Sequence, residues 1–62
     1  MPNTTAMARA DALYVELVGP AREALGAAIA VFRAALDSQM PQAIDEARGA
    51  LLSLVDQLAS SR

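Results

Sequence analysis

Apolar residues return every three or four positions from Ala6 to Leu36 and again from Ile44 to Ala59, and Pro41 stands between the two stretches. That spacing follows the 3.6-residue turn of an α-helix and not the two-residue alternation of a strand. The chain is therefore expected to be all-α: an antiparallel helical hairpin with a long or kinked first helix, assembling into a helical bundle. The expected bounds, all within one domain, are a disordered start over 1–4, a first helix over 5–36 kinked at 19–20, a turn over 37–40 and a last helix over 41–60.

At 62 residues the chain lies near the size at which one hydrophobic core only marginally offsets chain entropy. It has no Cys and no His, so neither a disulfide nor a conventional metal staple is expected to add stability. Tight helix packing or a partner chain remains. Hydrophobic residues make up 55% of the sequence, yet Tyr14 and Phe32 are its only aromatics. Much of the apolar content is alanine, which favours helix and close approach but buries little area per residue.

The formal charge is −2, and every basic residue is an arginine: Arg9, Arg22, Arg33, Arg48 and Arg62. These are interleaved with acids and form no stripe that could neutralise a row of phosphates, so nucleic-acid binding is disfavoured. The longest uncharged run in the helical stretches, Ala24 to Phe32, is far shorter than the ~20 residues of a bilayer span. Arg9, Asp11 and Glu16 interrupt the early residues in a way that no secretory leader would. A cytoplasmic protein is expected, without membrane, nucleic-acid or small-molecule partners and without a cofactor.

Thr4 or Thr5 could cap the first helix by offering a hydroxyl oxygen to its orphan amides. Ala10, Leu13, Tyr14, Leu17 and Val18 then make one apolar stripe, with Arg9, Asp11 and Glu16 largely off it. Gly19-Pro20 interrupts. Proline inside a helix lacks the amide that would bond back to Glu16 and crowds that carbonyl. Yet Ala10, Tyr14, Leu17, Ala21, Ala24, Ala28, Phe32 and Ala35 keep a four-three spacing across it, which favours a bent, continuous helix. The alternative starts a new helix at Pro20 and folds the first segment back into a three-helix monomer.

Asp37 to Met40 form the turn, and Pro41 opens the last helix. There Ile44, Ala47, Leu51, Leu54 and Leu58 fall at heptad spacing, widened by Leu52 and Val55. Leu25, Ile29, Phe32, Leu51, Leu54 and Leu58 are expected to hold the hairpin. Asp45 with Arg48, and Arg33 with Asp37, sit at helical neighbour spacings that contribute only ~0.2–0.5 kcal/mol per pair. Gly26 and Gly49 each cost about 1 kcal/mol against alanine in a helix interior, and nothing in the sequence decides whether either permits a close contact.

A helix over 5–36 would be roughly 45–50 Å long, whereas 41–60 gives about 30 Å. The last helix could then cover only Pro20 to Leu36, leaving Ala10, Leu13, Tyr14, Leu17 and Val18 without an intrachain partner. Such a row on so small a protein is an association surface. These five residues are the expected partner interface, joining the chain to itself as a homodimer or higher assembly or to another helical protein. On that reading Leu17→Asp dissociates the assembly and leaves helicity mostly intact.

Residues for chemistry are sparse. Ser38, Ser53, Ser60 and Ser61 have no His or Lys to activate them. Asp45 and Glu46 are adjacent and project about 100° apart on a helix, so they do not converge on a substrate or ion. The chain is expected to be non-catalytic, acting in protein association or oligomerisation.

Two resemblances bear on this. Pro20-Ala21-Arg22, Ala24, Ala28-Ile29, Ala34-Ala35-Leu36, the Asp37-Ser38 turn, Ala43-Ile44, Ala47, Leu51 and Leu58-Ala59 together resemble the C-terminal helical lid of the 70-kilodalton heat-shock chaperones. Ala10-Asp11-Ala12-Leu13 is similar to the segment before the lid's proline. The resemblance implies a detached, lid-like interaction module with neither the nucleotide-binding nor the peptide-binding part. Ile44-Asp45, Leu51-Leu52, Leu54-Val55 and Leu58 to Arg62 are similar to the opening helix of all-helical chorismate mutases, which implies a small helical enzyme as an alternative. Here that motif closes the chain, and no lysine is present to hold a dicarboxylate. A third reading, the dimerisation part of an antitoxin or regulator, would need a basic element that the sequence lacks.

Overall fold

Each of the three prolines stands in the first turn of a helix in the computed structural model, which describes residues 1–61. Helix α1 spans Pro2–Tyr14, α2 spans Gly19–Ser38 and α3 spans Pro41–Ser60. The first amides of a helix have no intrahelical acceptor, so the missing proline N–H costs nothing there, and its fixed φ suits the entry. Pro2 starts α1 earlier than the expected capping threonines, and the Thr5 amide already donates to the Met1 carbonyl at 3.0 Å. The expected disordered start over 1–4 is thus replaced by helix from Pro2 onward.

The larger correction concerns the continuous helix over 5–36. Tyr14 ends α1, and a one-turn tail follows, with the Glu16 amide on the Leu13 carbonyl at 3.0 Å and the Leu17 amide on Tyr14 at 3.3 Å. The chain then reverses through Val18, which is extended at φ −137°, and Gly19, which has φ +67°. That left-handed φ is cheap only for glycine. Together with Pro20 in the first turn of α2, it makes Gly19-Pro20 a break rather than a kink. A rod over 5–36 would also exceed the molecule, whose longest extent is 33 Å.

Cross-links fix the directions. Arg48 donates to Asn3 Oδ1 at 2.6 Å, and Arg9 pairs with Asp56 at 2.8 Å. Residue numbers rise together along both helices, so α1 and α3 run parallel, with α2 antiparallel to both. The length mismatch disappears: α2 and α3, of 20 residues each, match at about 30 Å, and the 13-residue α1 lies along part of both.

All three helices contribute to one core: Ala6, Ala10 and Leu13 from α1, Leu17 from the connection, Leu25, Ile29, Phe32 and Ala35 from α2, and Ala47, Leu51 and Val55 from α3. Phe32, Leu25 and Leu51 are the largest wholly buried side chains. Leu54 and Leu58, expected at the hairpin centre, are only partly buried beside Val55. With two neighbours instead of one, α3 turns Ala47, Leu51 and Val55 inward and leaves Ile44, Leu54 and Leu58 of the heptad row on the flank.

Helix α2 ends on Gln39 in the left-handed conformation, φ 58°, and Ser38 Oγ accepts from the Met40 amide at 3.3 Å while donating to the Ala35 carbonyl at 2.6 Å. A glycine suits such a position better. Gln39→Gly is expected to raise stability by about 0.5–1 kcal/mol in a denaturant titration.

The two glycines in helix interiors, Gly26 and Gly49, separate clearly. A Cβ on Gly26 would lie 3.2 Å from Tyr14 Cε1, so Gly26 seats the tyrosine ring, whereas a Cβ on Gly49 meets nothing within 4 Å. Gly49→Ala is therefore expected to stabilise by up to about 1 kcal/mol, a rise of roughly 4–8 °C in melting temperature for a domain of this size. Gly26→Ala should gain less, because the ring must give way.

Candidate interaction groove

Ala10, Leu13 and Leu17 do not form a free surface. They are 0%, 6% and 8% exposed and lie inside the chain's own core. Tyr14 is half-buried at the edge of α1, its ring against Gly26 and beneath Arg22, whose guanidinium carbon stands 4.6 Å from the ring centroid. Such a cation–π contact holds an aromatic edge in place where water still reaches it. Of the five expected interface residues, Val18 alone is left in solvent, at 81% exposed. The surplus of apolar surface that called for a second copy is absorbed when α1 folds back.

The concave surface lies elsewhere, on the seam between α1 and α2. An open groove of about 620 Å³ is lined by Met1, Pro2, Asn3, Thr4, Met7, Ala8 and Asp11 from the start of the chain and α1, and by Leu36 from α2. The positions follow from helical spacing: Thr4, Ala8 and Asp11 share one side of α1, and Met7 and Leu36 pack partly against the core from the seam. A smaller recess of about 300 Å³ continues along it, lined by Asp11, Tyr14, Gly26, Ile29 and Arg33. Asp11 belongs to both and sets a carboxylate between an apolar half and a polar half.

The methionines gather at this end of the molecule. Met1 is 93% exposed beside the groove, and Met40, in the α2–α3 turn, is 60% exposed. Unbranched thioethers adapt to irregular apolar partners. In the sequence Met7 and Met40 alone hint at an adaptable surface, and the expected disordered start over 1–4 leaves Met1 and Thr4 apart from it. Placing Pro2 in a first helical turn would have put Thr4, Ala8 and Asp11 on one face.

Among the described residues no polar or charged side chain is buried, and no three His, Cys, Asp or Glu residues cluster to hold a metal ion. The ties between α1 and α3, from Arg9 to Asp56 and from Arg48 to the groove-lining Asn3, together with the Arg48–Asp45 pair at 2.7 Å within α3, serve the fold. No helix among the described residues is long and apolar enough to cross a membrane. Compared with family models, with curated proteins and with solved structures, the chain matches none.

Proposed function

We propose that the chain is a non-catalytic helical interaction module whose α1–α2 groove takes the apolar face of an amphipathic helix from another protein. The observation that carries this is the groove itself: a concave, mainly apolar strip between two helices, with Met7 and Leu36 on its floor and Asp11 at one end. Helix-in-groove docking anchors apolar side chains at three- and four-residue spacing. The Asp11 carboxylate selects a partner that carries a lysine or arginine about one turn beyond its apolar anchors, and the net negative charge of the chain favours the same sign. The resemblance of Pro20 to Ala59 to chaperone lids supports a module acting by contact.

Site-specific photo-crosslinking in cells tests this reading. A photoreactive residue at position 7 or 36 is expected to give one discrete adduct, which Asp11→Arg in the same chain removes. The same residue at exposed position 30, on the outer face of α2, is expected to give none. Leu36→Asp should abolish the adduct while lowering stability by less than about 2 kcal/mol, since Leu36 is only partly buried. Equal adducts from positions 7, 36 and 30, or none from any of them, would contradict the proposal.

A further inference from the structure

We propose that α1 is an exchangeable arm: when the chain is concentrated, the Val18–Gly19 reversal opens and α1 docks on α2 and α3 of a second copy, giving a two-fold, arm-exchanged dimer. The backbone stays close to helical from α1 through Leu17, and the direction changes only at Val18 and Gly19. Two residues thus decide whether α1 returns to its own chain. The reversal needs the left-handed φ of Gly19, and a Cβ there would meet nothing within 4 Å, so a side chain at 19 is opposed by backbone conformation and not by crowding.

The arm's own grip is light. Its buried face is Ala6, Ala10 and Leu13, two of them the smallest apolar side chains, and of its polar ties to α3 the Arg9–Asp56 pair is exposed and the Arg48–Asn3 bond only partly buried. By contrast α2 and α3 share the larger interface and meet at a capped turn. A connection as short as Val15–Val18 presents α1 to its own docking site at an effective concentration in the millimolar range. A second copy offers the same site, so exchange competes as protein concentration approaches that value, and both copies can close the contact isologously. The α1–α2 groove re-forms in each half of such a dimer, so this inference does not depend on what the groove binds.

The test uses the Tyr14 ring on Gly26 as a reporter. Equal amounts of 13C-labelled and unlabelled chain are unfolded, refolded together at millimolar concentration and examined by isotope-filtered NOE spectroscopy. Contacts from the Tyr14 ring to the Gly26 Hα protons are expected between chains, and they should fade on dilution as the mass from light scattering falls to that of a monomer. Gly19→Ala carries a left-handed penalty only in the closed form, because alanine before proline prefers an extended backbone. It is expected to raise the dimerisation constant about tenfold per hinge, hence ~100-fold per dimer. A synthetic chain with D-alanine at position 19, which accepts positive φ, should return to wild-type behaviour. A monomer at every concentration in both the wild type and Gly19→Ala would overturn the proposal. So would a dimer whose Tyr14–Gly26 contacts stay within one chain, and that result would point to another face.

Discussion

Phe32→Ala is expected to leave most of the chain unfolded at 25 °C. Phe32 is wholly buried in the middle of α2, and removing a buried phenylalanine side chain typically costs about 3–5 kcal/mol through lost transfer energy and the cavity left behind. A domain this short has roughly that much stability in total. Its neighbours limit any collapse into the space, because Leu25 and Leu51 are wholly buried too and Ala35 and Ala47 are already small. Far-ultraviolet circular dichroism of the variant should show most of the helical signal gone, with a residual cooperative transition only after an osmolyte is added. A melting temperature within a few degrees of wild type would mean that Phe32 does not hold the core.

Leu17→Asp is the second large effect, and its sign of interpretation has changed with the fold. If Leu17 belonged to an exposed arm, aspartate there would dissociate an assembly and leave the helices standing. With Leu17 8% exposed beneath the reversal, the substitution removes a buried leucine and offers a carboxylate to an apolar site with no buried polar partner among the described residues. A loss of about 3 kcal/mol or more is expected, seen as reduced helicity at every protein concentration. Val18→Asp, one residue along but 81% exposed, should stay within about 0.5 kcal/mol of wild type. Full helicity in Leu17→Asp together with a halved mass would restore the interface reading.

The all-α class and the bounds of α3 were legible because they rest on strong local signals: a heptad row of large side chains and a proline in a place only a helix start explains, whereas the turn expected over 37–40 shortens to Gln39 and Met40 because α2 continues through Ser38. Buried Leu51 follows from that row, and buried Leu25, Ile29 and Phe32 from the matching three- and four-residue spacing in α2. The break at Gly19-Pro20 was harder to read, and the reason is alanine. Ala21, Ala24 and Ala28 fit almost any phase, so a continuous four-three count could be drawn through a point where the chain reverses; Ala24 is in fact exposed. Glycine before proline carried the better signal, since it supplies both the left-handed residue and the first-turn residue of a new helix. One rule applied to Pro2, Pro20 and Pro41 alike yields all three helix starts.

The groove was illegible for a different reason. It needs α1 to lie against the end of α2, a tertiary fact that follows only after the reversal is placed. Arg48 shows the same dependence: its neighbour Asp45 is visible in the sequence, whereas its bond to Asn3 exists only because α1 returns alongside α3.

Everything functional here rests on that return, and one distance tests it. Thr4 and Asp37 are both exposed, and they flank the groove that Thr4 and Leu36 line. Spin labels on Thr4→Cys and Asp37→Cys in one chain, diluted into excess unlabelled protein at low total concentration, report the intrachain separation by pulsed dipolar spectroscopy. Two helices side by side place the labels ~10–20 Å apart, the expected result. A single maximum near 50 Å, the length of an unbroken helix across those residues at 1.5 Å each, would contradict the account.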